Sequence, residues 1–381
     1  MKIAFDAKRA FHNFRGLGNY SRTLIEGLVL NFPENEYVLY TPPFKDERAR
    51  KWYEDLKNKG NLKLVVPSSF LTQTFSSSWR SLFLTNVLKK DKPDIFHGLS
   101  HELPPKIDQL GIKTVVTIHD LLFMRYPGMF SSVDRRIYKK KYTYSCKVAD
   151  RVVAICEQTK NDLDQYLKVD ANKVDVVYQS CDPMFYHLED KAKQDEVRKK
   201  YFLPHHYILY VGAFSKLKNL EHLITSYKYV SQYHDLPLVL VGQGAKYRHH
   251  LVQHACKLNL ENHVIFLEDV PSRDLPALYQ QATVFVFPSL FEGFGIPIIE
   301  SLFSGVPVIT STGSCFGETG GDAVEYVDPH DSDKLGKAMT RLVENDKLRE
   351  EMSEKGHKWV KRFHLELTST NMIKLYKSLL S

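Results

Sequence analysis

Short apolar runs recur along the chain and alternate with longer stretches of helical periodicity. The first series covers residues 2–7, 37–41, 62–66, 95–97, 114–119, 151–155 and 174–178, rich in Val, Ile, Leu and Tyr. A charged, polar stretch from about 187 to 200 interrupts it. The second series covers 207–211, 238–241, 264–267, 284–287 and 306–310. Runs such as Tyr207-Ile208-Leu209-Tyr210-Val211 lack polar alternation, as strands covered on both faces require. Alternation with helices predicts parallel sheets layered by helices. Two such series predict an α/β chain of two doubly wound, Rossmann-like domains facing across a cleft. The turn-rich Ser180-Cys181-Asp182-Pro183 marks the expected junction. Residues 1–185 then form the N-terminal domain and 186–365 the C-terminal one, with a last helix at about 366–381 packing back onto the first.

Open parallel sheets bind ligands beyond the carboxyl ends of their strands, so residues just after strands are the first candidates for chemistry. After the run ending at Phe287 comes Pro288-Ser289-Leu290-Phe291-Glu292-Gly293-Phe294-Gly295-Ile296-Pro297-Ile298-Ile299-Glu300. Two glycines let the backbone approach a ligand. Pro297 suits the first helical position, and a helix start there presents N–H groups to a diphosphate. Glu292 and Glu300 can accept hydrogen bonds from sugar and ribose hydroxyls. After Val211, the segment Gly212-Ala213-Phe214-Ser215-Lys216-Leu217-Lys218-Asn219 brings two cations to a strand end, where a leaving diphosphate would need them. Arg15-Gly16-Leu17-Gly18 reads as a glycine loop opening a helix, and His119-Asp120 ends another strand.

Glu292 and Glu300, within Glu292-Gly293-Phe294-Gly295-Ile296-Pro297, closely match the acidic pair of glycosyltransferase family 4, the glycosyl transferases group 1, which the chain resembles in order along nearly its whole length. The resemblance implies a GT-B fold and transfer of a hexose, mannose first, from a nucleotide diphosphate sugar with retention of configuration. It implies no cofactor and no metal, and no Asp-x-Asp stands in a metal-binding context. By the same resemblance Glu292 holds hexose hydroxyls, Phe294 and Gly295 offer backbone amides to the sugar, the helix start at Ile296 faces the diphosphate, and Glu300 binds the ribose. Lys218 matches a diphosphate-gripping lysine. The arginine that accompanies it in the family is absent, with Ala213 and Leu217 in its two usual places, which makes Lys216 the candidate substitute. Gly16 and Gly18 would approach the diphosphate, Val270 the base through its backbone, and His119 would donate to a sugar hydroxyl. Acceptors in the family's manner are glycans or lipid-linked glycans of cell-surface polysaccharide or glycolipid synthesis. The rivals are a sugar-nucleotide epimerase of GT-B fold and a non-catalytic nucleotide-sugar-binding protein.

Composition narrows this little further. A net charge of +7 suits an anionic partner, but no nucleic-acid motif accompanies it. No apolar run approaches the roughly 20 residues that span a bilayer, and five cysteines without a CxxC pair fit a reducing compartment, so the expected place is the cytoplasm. Residues 131–147 interleave Arg135, Arg136, Lys139, Lys140, Lys141 and Lys147 with Tyr138, Tyr142 and Tyr144, and residues 77–90 mix Trp79, Leu82, Phe83, Val87 and Leu88 with Arg80, Lys89 and Lys90. Two readings stay open for these stretches. They are helices packed on the sheet with solvated faces, or a peripheral contact with the anionic inner face of the cell membrane.

Overall fold

The computed structural model describes residues 1–67 and 84–381. The chain divides into two compact units, Met1–Cys181 together with Phe363–Ser381, and Asp182–Arg362. In the first unit the strands are β1 (Lys2–Asp6), β2 (Glu36–Tyr40), β3 (Leu62–Val65), β4 (Ile95–Gly98), β5 (Lys113–Ile118), β6 (Arg151–Ala154) and β7 (Val174–Val176), in the order β3-β2-β1-β4-β5-β6-β7. The second unit holds β8 (Ile208–Val211), β9 (Leu238–Val241), β10 (Val264–Leu267), β11 (Val284–Phe287), β12 (Val308–Ser311) and β13 (Glu325–Val327), in the order β10-β9-β8-β11-β12-β13. All described pairings are parallel.

Both sheets thus start in the middle, run outward one way, then cross and run outward the other way. In such a sheet the crossing point lies between the first and fourth strands: β1 and β4 in one unit, β8 and β11 in the other. There the loops after neighbouring strands diverge and leave a crevice. Val284–Phe287 and Leu238–Val241 are apolar and buried end to end, as strands covered on both faces are.

β13 answers to no apolar run in the sequence. It is an edge strand of three residues, Glu325, Tyr326 and Val327, of which only the valine is buried. The first unit is completed by the helix Leu365–Leu380, which lies against the helix Gly16–Asn31. A Cβ on Gly27 would stand 2.6 Å from Leu365 Cδ1 and 3.1 Å from Ser369 Cβ, so any larger residue there would push the leucine side chain aside. Asn31 Nδ2 donates to Ser369 Oγ at 2.9 Å across the same contact.

Of the two basic-aromatic stretches, 131–147 forms the helix Ser132–Val148. Tyr142, Ser145 and Cys146 face inward, while Val133, Arg136, Ile137, Lys139, Lys140 and Lys141 are exposed. In the other, Trp79, Arg80, Leu82 and Phe83 lie outside the described residues, and the helix Leu84–Asp91 buries Leu84 and Leu88 and exposes Lys89 and Lys90. No helix among the described residues is long and apolar enough to cross a membrane.

Candidate active site

In the second unit, adjacency of β8 and β11 decides what meets. β8 runs out through Gly212 into a single 3-10 turn, Lys216–Lys218, which Asn219 ends with φ +57° and a side chain that donates to Pro329 O at 2.7 Å. β11 runs out through Pro288 into the glycine loop and then the helix Ile296–Phe303, capped by Gly295 at φ +93°. That φ is left-handed, where a Cβ is strained, so glycine is required at 295. Pro297 sits one place later than expected, at the second helical position. Ile296 takes the first, and its N–H has no carbonyl within the helix to bond. Leu290 N–H donates to Leu217 O at 2.8 Å and ties the two loops together.

Lys218 and Glu292, 74 residues apart, meet as an ion pair between Nζ and Oε1. Both side chains are mostly covered, at 19% and 14% exposed, and the Lys218 ammonium lies 5.6 Å from the centre of the Phe287 ring. Each charge therefore stands pre-oriented by the other. Lys216 is not drawn into this pair. It is exposed at the start of the turn.

Glu300 is placed differently. Tyr279 O–H donates to its Oε2 at 2.9 Å. Burial, reinforced by the nearby charge of Asp182, raises its carboxyl to about 7, although the Tyr279 bond pulls the other way. Tyr279 carries no motif, and sequence reasoning missed it. Its only trace is an aromatic residue on the helix before β11. Val270 follows β10 and is partly buried behind Asp269, which takes φ +56° and accepts from Gln243 Nε2 at 2.9 Å.

In the first unit, Gly16 and Gly18 prove to lie within the first turn of the helix Gly16–Asn31 and not in a loop. They differ in kind. Gly16 is exposed with nothing within 4 Å of a would-be Cβ, whereas a Cβ on Gly18 would sit 1.6 Å from Asn13 O. Gly18 is there so that the preceding turn can fold over the helix start.

His119 follows β5 and is buried. Its Nε2 bonds Leu99 O at 2.9 Å. A carbonyl only accepts, so Nε2 carries the proton. Burial, helped by Arg9, lowers the ring to about 4 against the pull of the Leu99 bond, so it is neutral at pH 7. Nδ1 then carries a lone pair, and in this tautomer His119 can accept a hydrogen bond. Tyr20 packs edge-on against it at 4.6 Å, and His101 lies 5.1 Å away, itself stacked on Tyr142. Behind this group a buried relay runs from Tyr20 O–H to Thr117 Oγ1 (3.0 Å), on to His97 Nε2 (2.8 Å), and from His97 Nδ1 to Tyr376 O–H (2.6 Å) on the C-terminal helix. Burial drives His97 down to about 3.

Residues 14–184 match the family model described as Glycosyltransferase Family 4, and residues 193–359 match Glycosyl transferases group 1. The chain belongs to these glycosyltransferases. The glycosyltransferase is 27% identical to O-antigen chain mannosyltransferase B of Escherichia coli over 100% of both chains. It is 30% identical to O-antigen chain mannosyltransferase RfbU of Salmonella typhimurium over 60% of each. Among solved structures, a glycosyltransferase of Rickettsia africae superposes with a TM-score of 0.76 at 17% identity, covering 100% of this chain and 98% of that one. The HepE protein of Anabaena, in complex with UDP and glucose, gives 0.74 at 18%, covering 99% and 100%. The likenesses place the glycosyltransferase in the GT-B fold.

Proposed function

We propose that this glycosyltransferase moves a mannosyl group from a nucleotide diphosphate donor, with retention of configuration, to a glycan or lipid-linked acceptor of an O-antigen-type cell-surface polysaccharide. The observation that carries the donor reading is the Lys218–Glu292 pair beside the Gly295-capped helix start, at the carboxyl ends of β8 and β11. A diphosphate entering there takes the Lys218 ammonium and the Ile296 N–H. Glu292, released from the lysine, accepts hexose hydroxyls, and Glu300 accepts those of the ribose. Charge that develops on the leaving diphosphate meets a cation already in position. Lys218 and the helix start supply that neutralisation without a divalent ion, and Lys216 adds a second cation at the edge of the site. Mannose as the sugar draws its support from the relatives, which carry the name mannosyltransferase over the full length of the chain in one case.

The acceptor reading extends to the membrane. Val133 (62% exposed) and Ile137 (45%) stand one turn apart on the helix Ser132–Val148, beside Arg136 and Lys140. Apolar residues flanked by cations suit the face of an anionic bilayer, where a lipid-linked acceptor would be presented.

The test is a transfer assay with GDP-mannose and the common UDP-hexoses in excess EDTA, paired with thermal shift on the same donors. GDP-mannose is expected to raise Tm and to support transfer with EDTA present, since a ligand that binds only the folded state stabilises it. Donor consumed equally without any acceptor would instead mark an epimerase. Binding with no turnover on any acceptor extract would leave only a binding protein. Absence of co-flotation with anionic liposomes at low salt removes the membrane contact.

A further inference from the structure

The loop Glu292-Gly293-Phe294-Gly295 carries two glycines and so has little stiffness of its own. What holds it lies in the next strand's exit. β12 neighbours β11, and after it come Gly313, Ser314 and Cys315. Their contacts go to the backbone of the glycine loop. Glu292 N–H donates to Ser314 Oγ at 3.2 Å, and Ser314 O–H donates back to Glu292 O at 3.1 Å. The Cys315 thiol donates to Phe294 O at 3.0 Å, with Glu292 O further off at 3.4 Å. The near acceptor of each side-chain proton is thus a carbonyl of the glycine loop.

The consequence follows from peptide geometry. The peptides are planar and trans, so a carbonyl and the N–H of the next residue point opposite ways. Drawing Phe294 C=O towards Cys315 turns the Gly295 N–H away from it. Drawing Glu292 C=O towards Ser314 fixes the root of the carboxylate side chain. We infer that Ser314 and Cys315 are positioning residues of the donor-sugar site, a two-residue clamp that aims the Gly295 amide and the Glu292 carboxylate by holding the loop's carbonyls from behind. This rests on the donor reading above. The clamp reaches the sugar end of the site and leaves Glu300 and its Tyr279 bond untouched.

The test separates the two ends. Cys315→Val removes the thiol proton at nearly constant volume, Cys315→Ser keeps a donor, and Ser314→Ala opens the other half of the clamp; Cys315→Ala replaces the valine variant if that fails to fold. Wild type and variants are compared for the Kd of the nucleoside diphosphate and for KM and kcat with the intact nucleotide sugar. In Cys315→Val we expect kcat/KM for the nucleotide sugar to fall about tenfold, as loss of one orienting hydrogen bond allows, with the nucleoside diphosphate Kd unchanged within about twofold. Cys315→Ser should recover most of the loss, and Ser314→Ala should lose part. Wild-type kinetics in Cys315→Val, equal losses for nucleoside diphosphate and nucleotide sugar, or failure of Cys315→Ser to recover each overturns the clamp. If wild type itself turns over no nucleotide sugar, the donor reading falls first and the clamp with it.

Discussion

The two units share a strand order and use it for opposite electrostatics. At the strand ends of the first unit, three histidines are deeply buried and uncharged at neutral pH: His97, His101 and His119 are all held below their ordinary range by burial, and Tyr20, Thr117 and Tyr376 tie His97 into a chain of hydroxyls. At the strand ends of the second, an ammonium and a carboxylate stand paired, and a further carboxyl is poised near neutrality. Topology therefore chooses where polar residues gather, and the side chains decide whether the place offers charge or only directed hydrogen bonds. A diphosphate requires the former. A sugar hydroxyl is satisfied by the latter.

The contrast breaks most severely at Lys218 and Glu292. Alanine at either is expected to lower kcat by about 10²–10³-fold, the usual cost of removing one charge-stabilising group. The Lys218→Ala/Glu292→Ala double variant should fall well short of the product of the two, because the residues act as a pair. Steady-state kinetics on all three checks this, and additive losses would mean that the contact is incidental. The neutral relay answers to a stability measurement. Tyr376→Phe leaves a buried nitrogen of His97 without its partner and should cost about 1–3 kcal/mol in urea unfolding, with kcat per folded molecule little changed.

The smallest effect is the sharpest, because pH should pull the units apart. Glu300 is raised from 4.5 to about 7, so its contribution to stability is full below pH 4.5 and is lost as pH climbs to 7. His97 and His119 are depressed from 6.5, so theirs is full above pH 6.5 and is lost as pH falls towards 4 and 3. Hydrogen exchange at amides of β5 and β11 should show opposite trends between pH 5 and 7. In donor binding, KM should rise about tenfold from pH 8 to pH 6 as Glu300 gains a proton and loses acceptor capacity. Glu300→Gln should flatten that profile. Tyr279→Phe should move its midpoint upward, because the tyrosine bond now holds it down. A flat wild-type profile would deny Glu300 its place at the ribose.

Much of this was legible in the chain. Buried parallel strands advertise themselves, since a run such as Val284-Phe285-Val286-Phe287 has no other comfortable fate. The edge strand at Tyr326 escaped because only Val327 of its three residues is buried. Lys218 and Glu292 were expected at one donor site, but their direct contact depends on β8 and β11 being neighbours, which is a fact of strand order and not of spacing. The helpers were silent. Tyr279, Thr117, Tyr20 and Tyr376 are hydroxyls in apolar company, and only the folded chain gives each a partner. The tautomer of His119 was illegible for the same reason, since Leu99 O sets it.

The relay to Tyr376 also fixes an order of events during synthesis. The second unit is one continuous segment and can close as soon as Arg362 has cleared the ribosome. The first cannot. Its helix Leu365–Leu380, and the hydroxyl that completes the His97 bond, arrive last. The earliest-made unit of this enzyme is thus finished after the other, and a nascent chain halted before residue 363 would present a mature second unit tethered to a first unit still waiting for its final helix.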